Sequence, residues 1–181
     1  MQQALAHYRA ALELRETELA AAEAELLPWA QREPLATPVR KLCCYRGIAE
    51  LGALTLAAEI ADWRRFPAAR AFMCFTGLVP AEYSSGDRTR RGRITKAGSE
   101  PVRQVLTEAA WAYRHKPAIG ATLHRRQDGA DPGTLARSWK AQRRLHDRYV
   151  HLVYANCKSP AEAATAVARE LAGFVWAEMT A

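Results

Sequence analysis

The sequence predicts a mainly α-helical protein, in which a long N-terminal helix of the coiled-coil type precedes a compact helical domain. Three observations predict this class. The first 27 residues are rich in Ala, Leu and Glu, which are strong helix formers. Ser99 and Ser159 are each followed within two residues by a proline, the pattern of a helix N-cap and first turn. Hydrophobic residues make up 49% of the 181 residues, which is enough for a packed core.

The N-terminal segment, residues 1 to about 27, is predicted to be one helix. Leucine recurs every seven residues, and Arg15 interrupts the second seam position of the same repeat. The two seam positions hold Leu5, Leu12, Leu19 and Leu26, and Tyr8, Ala22 and Trp29. This pattern is typical of a short coiled coil or one arm of a helical hairpin. A helix packed inside a monomer fits the pattern nearly as well.

Prolines at 28, 34 and 38 predict the end of this helix and a stiff linker over residues 28–40. We therefore divide the chain into a helix with a Pro-rich linker (residues 1–40) and a helical domain (residues 41–181).

Residues 42–66 resemble half of a helix-hairpin-helix motif, whose hairpin amides hold a DNA phosphate without reading sequence. Gly47 lies in the predicted turn, and Leu51, Leu54 and Ala58 form one face of the helix that follows. The second glycine usual in such a hairpin is Ala49 here. An ordinary helix–turn–helix packing corner is the alternative interpretation.

The rest of the chain alternates helices with broken segments. Helices are predicted at residues 68–75, 100–114, 134–153 and 160–179, with a loop at 81–98 that includes a short hairpin near 92–95, and a broken region at 115–133. The third of these helices has one strongly basic face, with Arg137, Lys140, Arg143, Arg144 and Arg148. Four tryptophans are predicted to anchor the core: Trp63, Trp111, Trp139 and Trp176. Platforms that stack nucleic-acid bases are the alternative.

Charge favours a polyanionic partner. The formal net charge is +7, from 26 Lys and Arg against 19 Asp and Glu, and bound phosphates would release counterions. A solvated basic surface is the alternative. The chain has no apolar run long enough for a membrane span and no apolar signal core at its start. We therefore expect no membrane partner and a cytoplasmic, nucleoid-associated location, with reduced and mostly buried cysteines.

The most informative stretch is residues 75–103. Ser84 and Ser85 precede Gly86 and then a dense run of cations. A hydroxyl nucleophile beside guanidinium groups suits chemistry on a phosphodiester, because the hydroxyl can attack phosphorus while the cations hold the phosphate oxygens. The candidate phosphate ligands are Arg88, Arg90, Arg91, Arg93, Lys96 and Arg103, together with Gly47. Turn-forming hydroxyls and a solvated loop are the alternative.

Neither the histidines nor the acidic residues have a metal-ligand spacing. We therefore predict that this chain binds no metal and no cofactor.

The blocks GLVP, YSSG and GRITKAG, in this order within residues 40–180, resemble the C-terminal transposase domain of the IS110 family of insertion sequences. The resemblance implies a recombinase that excises and inserts its own mobile element, with a serine that links covalently to DNA. The family's nucleophile corresponds to Ser85, with Ser84 as the fallback. The resemblance also implies an oligomer, in some members a guide (bridge) RNA, and a RuvC-like nuclease domain with Mg²⁺ ligands.

Two features depart from that pattern: residue 1 already lies in the helical linker, and Ser99-Glu100-Pro101 replaces the usual residues after GRITKAG. The leading hypothesis is the DNA-binding, serine-bearing part of an insertion-sequence transposase, for DNA transposition by site-specific recombination. We expect it to be inactive alone, to meet Mg²⁺ only in the missing nuclease domain, and to form a homo-oligomer through the N-terminal helix. The alternatives are a non-catalytic nucleic-acid-binding module and a helical scaffold.

Overall fold

The computed structural model describes residues 1–82 and 91–181, without the side chain of Arg91, and it confirms a mainly helical chain. The α-helices of the described residues are α1 (Gln2–Leu26), α2 (Ala36–Cys43), α3 (Glu50–Ile60), α4 (Ala69–Phe75), α5 (Glu100–Ala110), α6 (Ala121–Gln127), α7 (Pro132–Val150) and α8 (Pro160–Met179). Short 3-10 turns lie at Leu27–Gln31, Trp63–Arg65 and Trp111–Arg114, and a π-helical turn lies at His151–Ala155. Two strands, β1 (Pro80–Glu82) and β2 (Arg91–Ile94), form an antiparallel pair.

Helix α1 confirms the predicted N-terminal helix, and none of its 25 residues is buried. Its seam leucines are between 48% and 63% exposed. The alternative of a helix packed inside the monomer is therefore wrong.

Three boundaries differ from the sequence-based prediction. Helix α2 crosses the end of the predicted linker, because Pro38 lies in its first turn, where no backbone donor is required. Helix α6 lies inside the region predicted to be broken. The hairpin pairs β1 with β2, so residues 92–94 lie within a strand and not at a turn.

Helix α8 lies at the centre of the domain and packs against α2, α4, α5 and α7. Its start has a capping box, in which the Ser159 hydroxyl accepts from the Glu162 N–H while the Glu162 carboxylate accepts from the Ser159 N–H. Small and apolar residues then cover its inward faces, including Val167, Leu171 and Val175, which are fully buried. The sequence predicts four core positions in this helix, these three and Phe174. The three are confirmed, and Phe174 is partly buried.

A buried carboxylate at the far end of α8 joins this helix to α7 and to the turn that follows α2. Glu178 is fully buried and accepts from Arg137 Nε at 2.6 Å, from the Thr134 hydroxyl at 2.7 Å and from the Tyr45 hydroxyl at 3.1 Å. Burial alone would raise the pKa of Glu178, but hydrogen bonds from Arg137 and Thr134 and the Arg137 charge outweigh it and hold that pKa below its ordinary value. One member of the predicted basic face, Arg137, is therefore the partner of a buried acid, although its own side chain is 35% exposed.

Of the four predicted tryptophan anchors, Trp63 and Trp176 are confirmed, and Trp111 and Trp139 are wrong. Trp63 is buried beside Phe72, with ring centroids 5.3 Å apart, and Trp176 donates its indole N–H to the Phe66 carbonyl at 3.2 Å. Trp111 and Trp139 are 36% and 38% exposed instead, because the inward faces of their helices are formed by other residues. The cysteines are likewise divided, with two buried and two exposed.

Candidate nucleic-acid interface

The hairpin β1–β2 carries the segment that holds the candidate serines. Pro80 faces Ile94 and Glu82 faces Arg91 across the pair. The end of β1 therefore lies beside the start of β2. Four predicted site residues, Ser84, Ser85, Arg88 and Arg90, fall in 83–90 and lie outside the described residues. Of Arg91 only the position in β2 is described.

The base of this hairpin is fixed to the helical core through backbone contacts. Thr95 donates its N–H to the Val79 carbonyl at 2.9 Å, and Lys96 donates its N–H to the Gly77 carbonyl at 3.0 Å. Gly98 has φ +115°, and a Cβ on it would collide with the Phe75 carbonyl. A glycine is therefore required where the chain leaves the hairpin for α5.

Arg103 reinforces this base from α5. Its Nη1 donates to the Thr76 carbonyl at 3.3 Å and to the Lys96 carbonyl at 3.2 Å. The side chain thus links the segment that precedes β1, at Thr76, to the segment that follows β2, at Lys96. Its predicted role as a phosphate ligand stays a prediction, and these bonds give it a structural role in addition.

A cleft of about 750 Å³ lies between the hairpin and the first turns of α8. It is lined by Leu78, Pro80, Gly92, Arg93, Ile94 and Lys96 from the hairpin side, and by Glu162, Thr165, Ala166 and Arg169 from α8. Among the described residues, Arg93, Lys96 and Arg169 form no ion pair, and the first two are exposed. Three cations and one carboxylate therefore line this space.

That carboxylate, Glu162, is already occupied. The hydrogen bonds from the Ser159 backbone and hydroxyl, with the charge of Lys158, hold the pKa of Glu162 below its ordinary value. Glu162 is therefore ionised at neutral pH and serves as the cap of α8. The cleft keeps a net positive character, which favours an anionic ligand.

A second depression of about 400 Å³ adjoins the cleft and shares Ile94 and Thr165 with it. Its remaining lining comes from α5 and includes the acidic residues Glu100 and Glu108. The positive wall is thus the hairpin with α8, whereas the α5 side is mixed in charge.

Gly47 lies on a separate turn between α2 and α3. Its φ is +87°, and a Cβ there would overlap the backbone of Ala109 on α5. Arg103 lies near the opposite end of α5, six residues away, which corresponds to about 9 Å along the helix. The structure therefore does not bring Gly47 into the cleft, and its close approach to Ala109 already requires a glycine.

The carbonyls of this turn are held by side chains from α6 and α7. Cys44 O accepts from the Ser138 hydroxyl at 2.6 Å and from Gln127 Nε2 at 3.0 Å, and Ile48 O accepts from Arg126. The helix–turn–helix backbone predicted here is confirmed, whereas a phosphate contact by its amides stays a prediction. Of the predicted face on α3, Leu54 is buried and Ala58 is exposed.

The residue that sequence reasoning missed is Arg169. It is the only Lys or Arg in α8, a helix otherwise composed mainly of small and apolar residues. A single cation on such a helix is a usable signal, but only the packing of α8 against the hairpin shows which surface it joins.

Within residues 1–82 and 91–181, no group of three or more His, Cys, Asp or Glu side chains is placed to hold a metal ion. Over the same residues, no helix is both long and apolar enough to cross a membrane.

Comparison with known proteins gives one consistent result. Residues 39–125 match the model of the transposase IS116/IS110/IS902 family. The chain is 42% identical to the Sinorhizobium fredii transposase y4qE over 173 residues, which is 95% of this chain and 42% of that protein. It is 26% identical to the transposase for insertion sequence element IS1533 of Leptospira borgpetersenii over 153 residues, or 84% of this chain and 44% of the relative. The chain thus spans less than half the length of these two relatives.

Proposed function

Through residues 39–125 the chain belongs to the IS116/IS110/IS902 family of transposases, and from this premise we propose that it is the DNA-binding, serine-bearing part of an insertion-sequence recombinase. The observation that supports the proposal most is the cleft beside the hairpin. Arg93, Lys96 and Arg169 line it, free of ion pairs within the described residues, beside the strands that hold segment 83–90.

The proposed nucleophile is the hydroxyl of Ser85. Ser85 follows Glu82, the last residue of β1, by three positions in the sequence, and β1 contributes Pro80 to the cleft. The assignment rests on the YSSG block of the sequence, and Ser84 remains the fallback.

In the proposed step, Ser85 Oγ attacks the phosphorus of a DNA phosphodiester. The new Oγ–P bond forms as the bond from phosphorus to a deoxyribose oxygen breaks. The serine proton passes to solvent or a base, and the departing sugar oxygen gains a proton. Guanidinium and ammonium groups stabilise the charge that grows on the phosphate oxygens.

The Mg²⁺ expected from the family resemblance has no cluster of ligands among the described residues. We assign this chain only what its own residues do: they bind the phosphate, orient it and supply the hydroxyl. Metal ligands are expected in a nuclease domain outside this sequence, and the chain alone is expected to bind nucleic acid without strand transfer.

The experiment that tests the nucleophile uses the longest open reading frame containing this chain and a DNA that carries the element's ends. Wild type is expected to form a denaturation-resistant protein–DNA adduct, and Ser85→Ala is expected to abolish the adduct while binding is retained. Ser84→Ala is the matched control and should still form it. Loss only with Ser84→Ala would move the role to that serine.

The rival function is a nucleic-acid-binding module without catalysis, which the cationic cleft also supports. It predicts salt-sensitive binding but no adduct in any background. If wild type and both serine variants all form the adduct, neither serine is the nucleophile. A parallel binding assay with RNA tests the guide RNA that the family resemblance suggests.

We further propose that α1 pairs with a second copy of the chain. Its leucines repeat every seven residues, and none of the described residues buries them. Light scattering should show an oligomer for the full chain and a smaller species for Leu12→Glu/Leu19→Glu. An unchanged mass would exclude α1 as the contact.

A further inference from the structure

We infer that the outer face of α7, formed by Trp139, Lys140 and Arg143, is a second nucleic-acid contact that stacks an unpaired base on the indole and holds the neighbouring phosphates. This surface uses none of the cleft residues, and its argument stands apart from the serine.

The first observation is the exposure of Trp139. Its side chain lies 38% exposed in a shallow depression of about 310 Å³ on α7. The depression is lined by Ala136, Trp139, Lys140, Arg143, Arg144 and Asp147. The side of α7 that faces the core instead presents Ser138, Ala141 and Gln142, all buried. An exposed indole on the solvent side of a well-packed helix is a large apolar surface that remains available for a ligand.

The second observation is the arrangement of charge around the indole. Trp139 and Arg143 are four residues apart and Lys140 and Arg143 are three apart, so the three side chains are neighbours on one helix face. Arg144 is held by Glu170 at 2.6 Å. Within the described residues, Lys140 and Arg143 form no ion pair. Two available cations therefore flank the indole.

The third observation is that this face adjoins the cleft. Arg169 lines the cleft, and the next residue, Glu170, binds Arg144, which lines the depression on α7. A nucleic-acid strand that leaves the cleft across α8 therefore meets α7 at Arg144 and then the exposed indole.

The chemistry favours a nucleic acid over a protein at this face. The depression holds Lys140 and Arg143, Arg144 already paired with Glu170, and one carboxylate, Asp147, and the chain has a formal net charge of +7. Aromatic side chains beside cations bind single strands of any sequence, because every base offers a π-face and every linkage a phosphate. A double helix keeps its bases stacked inside, so the indole should discriminate for a single strand.

The test measures fluorescence anisotropy of the 181-residue chain with a labelled oligothymidine of about 20 nucleotides and with a duplex of the same length. Trp139→Ala should weaken binding of the single strand about tenfold and Trp139→Phe less than threefold, since a phenyl ring still stacks. Trp111→Ala is the matched control, because Trp111 is exposed to nearly the same extent, 36%. It should stay within twofold.

A second pair of variants tests the charges. Lys140→Glu/Arg143→Glu should weaken binding about tenfold and reduce its salt dependence. Arg114→Glu/Arg125→Glu changes the net charge equally, at exposed positions on other elements, and should have a smaller effect. Circular dichroism checks that each variant is folded.

The inference is overturned if Trp139→Ala weakens binding no more than Trp111→Ala, or if the two charge reversals are equivalent. If Trp139→Ala weakens binding of the single strand and of the duplex equally, the proposed stacking of a base on the indole is wrong. If the α7 variants lose affinity while Arg93→Glu/Lys96→Glu binds as well as wild type, the α7 face is supported and the cleft is rejected. The two proposals can therefore fail separately.

Discussion

Cationic side chains lie on two sides of helix α8, and comparing the two sides shows how differently such charges are used. Toward α7, Glu178 binds Arg137 at 2.6 Å, and Glu170 binds Arg144 at 2.6 Å. Toward the hairpin, Arg93, Lys96 and Arg169 line a cleft without an ion pair among the described residues. The first set holds helices together, whereas the second leaves its charge available to a ligand.

The difference lies in which carboxylates α8 places on each side. Glu170 and Glu178 are eight residues apart on α8, and each binds an arginine of α7. The acid on the hairpin side, Glu162, is used in the capping box instead. Counting cations in a sequence therefore overestimates how many are available to bind nucleic acid, because the acids that neutralise some of them lie elsewhere in the chain.

The largest effect should come from removing the buried acid. Glu178→Ala leaves Arg137 and the hydroxyls of Thr134 and Tyr45 without their shared acceptor, and should lower the free energy of unfolding by about 3 kcal/mol. Urea denaturation followed by circular dichroism measures it. Glu170→Ala removes the partner of Arg144, at 2.6 Å, and of Arg148, at 4.0 Å, whose side chains are 62% and 34% exposed. It should cost at most about 1 kcal/mol, because solvent-exposed pairs contribute little. Equal losses would remove the distinction between core and surface pairs.

The next effect concerns the cleft and should appear in binding rather than in stability. Arg93→Glu/Lys96→Glu/Arg169→Glu should weaken binding to duplex DNA about 30-fold and flatten its salt dependence. Its unfolding free energy should change by less than about 0.5 kcal/mol. Arg64→Glu/Arg114→Glu/Arg125→Glu reverses three exposed cations elsewhere and is the charge-matched control. Similar weakening by both triples would show that net charge alone drives binding.

A smaller effect separates two arginines that the sequence places in one basic segment. Arg103→Ala should cost about 1.5 kcal/mol of stability, because the carbonyls of Thr76 and Lys96 lose a charged donor. Arg93→Ala should cost less than about 0.5 kcal/mol, since its side chain is exposed. Thermal unfolding compares the two variants. If Arg103→Ala weakens DNA binding without loss of stability, Arg103 acts on the ligand and not on the hairpin.

Much of the fold could be predicted from the sequence because its signals are local. Ser99 and Ser159 are predicted at the starts of α5 and α8, and both N-caps are confirmed. Ser159 also forms a capping box with Glu162. The sequence also predicts an apolar face on the helix at residues 100–114, formed by Val102, Val105, Leu106, Ala109 and Tyr113. All but the partly buried Val105 are buried. Each of these features depends on residues within one or two turns of each other.

The errors concern contacts between distant residues. Nothing near Trp139 in sequence shows that its helix packs through Ser138 and Gln142, and nothing near Arg137 shows that Glu178 lies against it. In the candidate site, Arg93 and Lys96 were predicted from their neighbours, whereas Arg169 enters the cleft only through the packing of α8 on the hairpin. The prediction for Ser84 and Ser85 rests on sequence alone.

Acidity should sharpen the comparison between the two sides of α8. The pKa of Glu178 lies below its ordinary value of 4.5 in the folded protein, so its contribution to stability is present above about pH 4.5 and is lost as the pH falls through the folded pKa. The difference in unfolding free energy between wild type and Glu178→Gln should therefore shrink on acidification from pH 6 toward pH 3. Urea titrations of both proteins at several pH values measure it. A difference that stays constant or grows toward low pH would mean that the carboxylate of Glu178 is not the charged partner of Arg137.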